Sequence, residues 1–200
     1  MKMVMMNKIL TNKKVVNIVN ESSDLYYQVN DNEMLVINYY NDNQKKINIE
    51  LRQSANSYVV LNVSSIIKND ALVNISSYVT GNDNRTIINV RTICEANEGT
   101  FNVIVKANEN TKNNEIIEDL KGINENGNII FNPILEVDTN EIDAQHFATI
   151  GSFDKNELFY LQTKGISLKS AYNLLKKSFI YNLFSDEFID LLNKGKEKDE

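Results

Sequence analysis

The chain is 200 residues long, carries a formal charge of −6 and is 42% hydrophobic, enough apolar material for one sizeable core and too much for wholesale disorder. A single cysteine, Cys94, rules out an intrachain disulfide and suits a reducing compartment. No concentrated basic face is visible for a polyanion, no apolar run approaches the roughly 20 residues of a membrane span, and MKMVMMNKIL at the start lacks the length and cleavage site of a signal peptide. The expectation is a cytoplasmic protein with neither nucleic acid nor membrane as partner.

In chain order, the first two thirds read as strands. KVVNIV (14–19), DLYYQV (24–29), MLVINYY (34–40), KINIEL (46–51), YVVLNV (58–63), ALVNIS (71–76), TIINVR (86–91) and FNVIVKA (101–107) are short and rich in Val, Ile and Tyr. Polar clusters such as NESS, NDNE, NDNQ, GNDN and NENT separate them. Gly is scarce, at seven residues, and Pro occurs once, so the abundant Asn is expected to supply left-handed turn geometry. Ile47, Ile49 and Leu51 alternate with Asn48 and Glu50, the pattern of a sheet with one buried face. A β-sandwich and a solenoid both fit this repeat of pattern. Residues 128–138, NIIFNPILEVD, continue the strand character, with Pro133 at an edge, a strand start or a bend.

At Asp154 the pattern changes. Asp154 and Glu157 have the spacing of a capping box, Leu158, Phe159 and Leu161 follow, and Lys164-Gly165 is a helix end. Ser167 is the next candidate N-cap, ahead of Leu168, Ala171, Tyr172, Leu174, Leu175 and Phe179 at helical spacing. A third helix starts at Ser185-Asp186-Glu187 and carries Phe188, Ile189, Leu191 and Leu192. The expected organisation is a β body over residues 1–147, a helical subdomain over 148–193 and a charged, disordered tail over 194–200.

One stretch is specific. Pro133-Ile-Leu-Glu-Val-Asp138, Ala144-Gln-His146-Phe-Ala-Thr-Ile-Gly151, Asp154 through Leu158-Phe159-Tyr160-Leu161, Lys164-Gly165-Ile166-Ser167, Ala171 and Phe179 together resemble the C-terminal signature of the SufB/SufD family. The likeness covers about 50 residues and reaches weakly upstream to about residue 100. It implies a right-handed parallel β-helix with a small C-terminal helical subdomain, acting as a scaffold subunit of SUF iron–sulfur cluster assembly. It implies two partners, a SufC-like ABC ATPase docked on the helices and a SufB-like or identical subunit paired through the β-helix. The chain resembles SufD more than SufB, and it is shorter than typical members. Lys164 stands where the family has Arg, Phe147 follows the histidine where SufB-type chains carry Glu, and no cysteine lies between Ala96 and Glu200.

The resemblance makes His146 a metal or cluster ligand, and makes Phe159, Tyr160, Leu161, Gly165, Ile166, Ala171, Leu175 and Phe179 the residues that meet the ATPase. No cofactor is expected to be held stably by the chain alone; iron or an iron–sulfur cluster would be shared with a partner subunit, because one imidazole cannot make a site. Read without the resemblance, His146 is a hydrogen-bonded histidine at the join, the apolar helical residues pack on the β body, and Lys164, Lys169, Lys176 and Lys177 are a solvated face. Cys94 reads as a small buried hydrophobe. Asp138, Glu141, Asp143 and His146 read as a solvated turn before a hard-metal site. No P-loop and no paired Cys or His motif is present, so an ATPase role is excluded and a non-catalytic scaffold expected. The competing class is a β-solenoid binding protein or a polysaccharide-directed enzyme, whose signature would be carboxylates converging on one groove.

Overall fold

The computed structural model describes residues 12–196; the MKMVMMNKIL segment and residues 197–200 of the expected tail lie outside the described residues. Among the described residues eleven strands precede three helices. Odd-numbered strands form one sheet in the order β1 (Asn12–Val19), β3 (Glu33–Asn41), β5 (Tyr58–Ile67), β7 (Arg85–Cys94), β9 (Asn114–Asn124), β11 (Ile142–Gly151). Even-numbered strands form the other, in the order β2 (Leu25–Val29), β4 (Lys46–Gln53), β6 (Ala71–Val79), β8 (Glu98–Ala107), β10 (Asn128–Val137). Every pairing is parallel and in register. That excludes the antiparallel sandwich and makes the chain a two-sheet parallel β-solenoid of about five turns.

The inward faces explain the composition. Ile37, Leu61, Val63, Ile88 and Val90 of one sheet meet Ile49, Val73, Ile75, Phe101 and Val103 of the other in one buried core. β-branched residues suit this because they stack from rung to rung, as Ile49, Ile75 and Val103 do. The turns are closed by left-handed residues that are asparagine or aspartate: Asn20, Asn32, Asn56, Asp83, Asn97 and Asn113 all have φ between 54° and 62°.

Asparagine has a second use that strand pattern did not reveal. On the outer face of the odd sheet the Asn38 side chain donates to Asn17 at 2.8 Å, Asn62 to Asn38 at 2.9 Å and Asn89 to Asn62 at 2.9 Å. On the even sheet Asn48, Asn74, Asn102 and Asn132 form a matching ladder that starts on Asp24. The rungs lie 21, 24 and 27 residues apart on the odd sheet, and 24, 26, 28 and 30 on the even one. The coils lengthen steadily, so no fixed period exists to be found.

Asn62 is buried and both donates and accepts in its ladder. Asn62→Ala leaves the Asn38 side-chain oxygen without its donor and the Asn89 amide without its acceptor, and is expected to cost about 2 kcal/mol, a fall in Tm of roughly 4–8 °C for a chain of this size. Asn132→Ala, at the exposed last rung, is expected to cost less than about 1 kcal/mol. Thermal unfolding of the two variants measures the difference.

The helices α1 (Lys155–Thr163), α2 (Leu168–Tyr181) and α3 (Asp186–Lys196) follow β11 directly. Asp154 caps α1 by accepting from the Asn156 amide at 2.8 Å, and Ser167 caps α2 by accepting from Ser170 at 3.2 Å. Gly165, with φ +83°, makes the turn between them. The helices cover part of the odd sheet's outer face. Tyr40, Ile93 and Ile123 of the sheet pack with Ile180, Phe184, Phe188 and Leu192. The Ser64 hydroxyl donates to the Ile180 carbonyl at 2.7 Å, and Lys176 reaches Glu95 at 3.0 Å and Glu125 at 2.7 Å.

Candidate functional site

The end of the solenoid formed by β10 and β11 is open. Among the described residues each of these strands has a sheet neighbour on one side only, so a row of backbone donors and acceptors faces outward along both. Their inward residues are incompletely covered: Phe131, Leu135, Val137, Ile142 and Ala144 touch the core yet remain half-buried. In the coils behind them the corresponding positions, such as Val103, Val105, Ile116 and Leu120, are sealed. The last coil thus ends as a cut core with an unpaired sheet edge on either side.

His146 lies on this end. Ile142 and Ala144 point inward, and β11 runs in unbroken register against β9, so His146 takes the next inward position, beside Glu118. It is exposed because no coil follows among the described residues. Its inward neighbours are the small Ala144 and Ala148. Phe147 points to the other face and is also exposed. Asp138, Glu141 and Asp143 are exposed, with Glu141 paired to Lys112 at 3.3 Å. Among the described residues no group of three or more His, Cys, Asp and Glu side chains is placed to hold a metal.

Glu118 is the residue that sequence reasoning missed. It sits between Ile116 and Leu120 on the inward face of β9, with 0% exposure. Neither carboxylate oxygen has a hydrogen-bond partner among the described residues. Burial alone pushes its carboxyl up to about 8, so the side chain is neutral at pH 7. Its signal in the sequence was indirect: a charged residue at the one phase of Ile-x-Glu-x-Leu where a strand needs a hydrophobe.

Cys94 is buried in the core, and burial pushes its thiol up. Adding a Cβ to Gly127 would meet its sulfur at 2.3 Å, so the turn below closes on it. This is the environment of a small hydrophobe.

On the helical foot the proposed contact residues divide. Phe159 is 67% and Tyr160 59% exposed, and Leu168, Leu174 and Leu191 are exposed as well. Leu161, Ile166, Leu175 and Phe179 are half-buried, Gly165 is exposed, and Ala171 is fully buried. Phe179 stacks edge-on against Phe153 at 6.3 Å. A groove of about 390 Å³ opens between α1 and α2, lined by Asn156, Glu157, Tyr160, Leu161 and Leu175. Lys164 lies over the Tyr160 ring at 5.3 Å. Lys176 is not a free cation for a partner, since Glu95 and Glu125 hold it to the β body. The foot's apolar surface is therefore only partly consumed by its own packing.

The outer faces carry ladders of asparagine where a polysaccharide-directed site would need converging carboxylates. No helix among the described residues is long and apolar enough to cross a membrane. Residues 106–179 match the family model described as SUF system FeS cluster assembly, SufBD core domain, which links the chain to SUF iron–sulfur cluster assembly. No curated protein matches the chain.

Proposed function

This chain belongs to the SufB/SufD family through the SufBD core at residues 106–179, and from that premise we propose that it is a non-catalytic, SufD-like scaffold that works in the cytoplasm between two partners. One is a SufC-like ABC ATPase on the helical foot. The other is a SufB-like or identical subunit at the open end of the solenoid. The observation that carries the reading is that this fold leaves two separate surfaces unfinished, and that the family segment spans both.

Each surface has its own chemistry. The open end offers strand edges that a second sheet can continue by backbone hydrogen bonding, together with half-covered Phe131, Leu135 and Ile142. The foot offers a groove flanked by the exposed rings of Phe159 and Tyr160. Aromatic anchors beside an apolar groove are the features that dominate binding energy in protein interfaces. Iron or a nascent cluster is cargo in this scheme, met by His146 at the open end with the remaining donors supplied by the paired subunit. A lone, exposed imidazole fits that shared arrangement and no self-sufficient one.

The full chain mixed anaerobically with its cognate SufC-like ATPase is expected to co-elute from a sizing column. Phe159→Ala with Tyr160→Ala is expected to weaken that complex by about 2–4 kcal/mol, at least thirtyfold in Kd. Because both rings are exposed, the same double variant is expected to leave Tm within a few degrees of the wild type. A wild-type chain that binds no ATPase, or a double variant that binds as well as the wild type, overturns the docking assignment.

A further inference from the structure

Two glutamates stand side by side where the solenoid meets its foot. Glu95 and Glu125 directly follow the paired strand ends Cys94 and Asn124. The ladder continues one residue further, with the Glu95 amide donating to the Ile67 carbonyl at 2.8 Å and the Glu125 amide to the Cys94 carbonyl at 3.0 Å. Their backbones are therefore held about 4.8 Å apart, and two carboxylates at that spacing repel. Among the described residues Lys176 is the one cation paired with either, at 3.0 Å from Glu95 and 2.7 Å from Glu125. The Glu125 side chain is 10% and the Lys176 side chain 20% exposed, so salt screens this group less than a surface pair. Tyr172 and Ile180 lie four residues to either side of Lys176 and share its face of α2. Tyr172 sets its hydroxyl against Glu125 and its ring 5.3 Å from the ammonium, while Ile180 belongs to the apolar cluster around Phe188. Leu175, one residue away, lines the groove with Tyr160 and Leu161 of α1, and α1 buries no residue of its own.

We propose that Lys176, shared between Glu95 and Glu125, is a latch that controls the groove between α1 and α2. The apolar cluster anchors α3 and the far end of α2 on the sheet. The shared ammonium holds the near end of α2, and with it α1, in the position that forms the groove. The inference rests on the reading of that groove as the ATPase site, and what it adds is regulation of the site. Opening the latch leaves two adjacent carboxylates without a counter-charge, one of them largely buried, which favours the closed foot. A groove formed only in the latched foot binds with an affinity reduced by the fraction of chains that are unlatched. By the same linkage a docked ATPase holds the latch closed, and so ties α2 to the turns that follow β7 and β9.

The test uses the full chain, with hydrogen exchange of the free protein and calorimetry of its binding to the cognate SufC-like ATPase. Lys176→Met keeps an apolar stem and removes the charge. It is expected to lower the protection of α1 and of residues 171–178 tenfold or more, about 1.4 kcal/mol, while Phe188 to Leu192, β5 and β7 keep theirs. The Kd for the ATPase is expected to rise about threefold or more. Adding Glu95→Gln and Glu125→Gln to Lys176→Met removes the repulsion as well, and neutral residues of similar shape replace a buried ion triad without loss. This triple variant is expected to recover protection and affinity to within about threefold of the wild type, a rescue that simple packing of the lysine stem does not predict. Unchanged protection in Lys176→Met, a loss that the triple variant does not relieve, or a loss spread over the solenoid overturns the latch. Lost protection with unchanged ATPase affinity overturns its control of docking. A wild type that binds no ATPase overturns the docking assignment and that control with it, while the exchange pattern still decides whether the latch exists.

Discussion

Metal-free wild-type protein is expected to lose stability steadily between pH 4.5 and pH 8, and Glu118→Gln is expected to remove that slope. Glu118 loses its proton at about 4.5 when unfolded and near 8 when folded, because burial disfavours the charged form. Below pH 4.5 both states hold the proton and the group contributes no slope. Between the two values only the folded state holds it, so each pH unit costs about 1.4 kcal/mol. Above pH 8 both states are ionised and the penalty levels off, at about 3–5 kcal/mol once some solvent relaxation at the open end is allowed for. Glu118→Gln cannot ionise, and the difference between its urea-unfolding curve and the wild type's isolates this one residue from every other carboxylate. Glu118→Leu is expected to be flat as well and more stable than either, since it removes the unpartnered polar group altogether. Parallel pH profiles for wild type and Glu118→Gln would show that the carboxyl finds solvent or a partner in solution.

The same residue explains what could be read in advance. Nine strands were legible, β10 among them, because Val, Ile and Tyr alternate with polar residues between asparagine-rich turns, and β8 (FNVIVKA) is the plainest of them. β9 was not. Its run Ile116-Ile-Glu-Asp-Leu-Lys-Gly122 places Glu118 inward, where the alternation needs a hydrophobe, and Asp119 and Lys121 outward, so charge hid the strand. β11 was hidden for a related reason. It is the last strand of its sheet among the described residues, and its inward residues Ala144, His146 and Ala148 are small or polar, so no apolar alternation marks it. The choice between sandwich and solenoid could not come from periodicity, since the ladder interval grows from 21 to 27 residues on one sheet alone. It came from the family resemblance of residues 133–179. The helices were legible from their caps, Asp154 and Ser167, and from Gly165. That α2 spends Ala171 and Ile180 on packing while α1 buries nothing was not, because three short apolar helices do not announce which of their faces meets the sheet.

Phe188→Ala is expected to release the helical foot while the solenoid stays folded. Phe188 is fully buried and stacks edge-on against Phe184 at 4.9 Å. Around it Tyr40, Ile93, Ile123, Ile180 and Leu192 form a cluster separate from the solenoid core. Truncation leaves a cavity at the centre of that cluster and costs about 3–5 kcal/mol. None of α1 to α3 exceeds 14 residues, and helices of that length do not persist in water without packing. The polar and ring contacts to the sheet, from Ser64 to Ile180, from Glu95 and Glu125 to Lys176, from Glu125 to Tyr172 and from Tyr40 to Tyr181, all bear on α2. The solenoid loses a cover on its outer face, but its ladders and inward core are untouched. Hydrogen exchange is expected to show amides of 168–192 losing protection by two orders of magnitude or more while β5 and β7 keep theirs. Uniform loss across both parts would mean that foot and solenoid unfold as one unit. The comparison with Phe159→Ala/Tyr160→Ala then separates a contact from its support. If the proposed ATPase docks on this foot, the surface pair is expected to remove its affinity at constant exchange protection, and Phe188→Ala is expected to remove both, because the groove between α1 and α2 needs α2 held against the sheet.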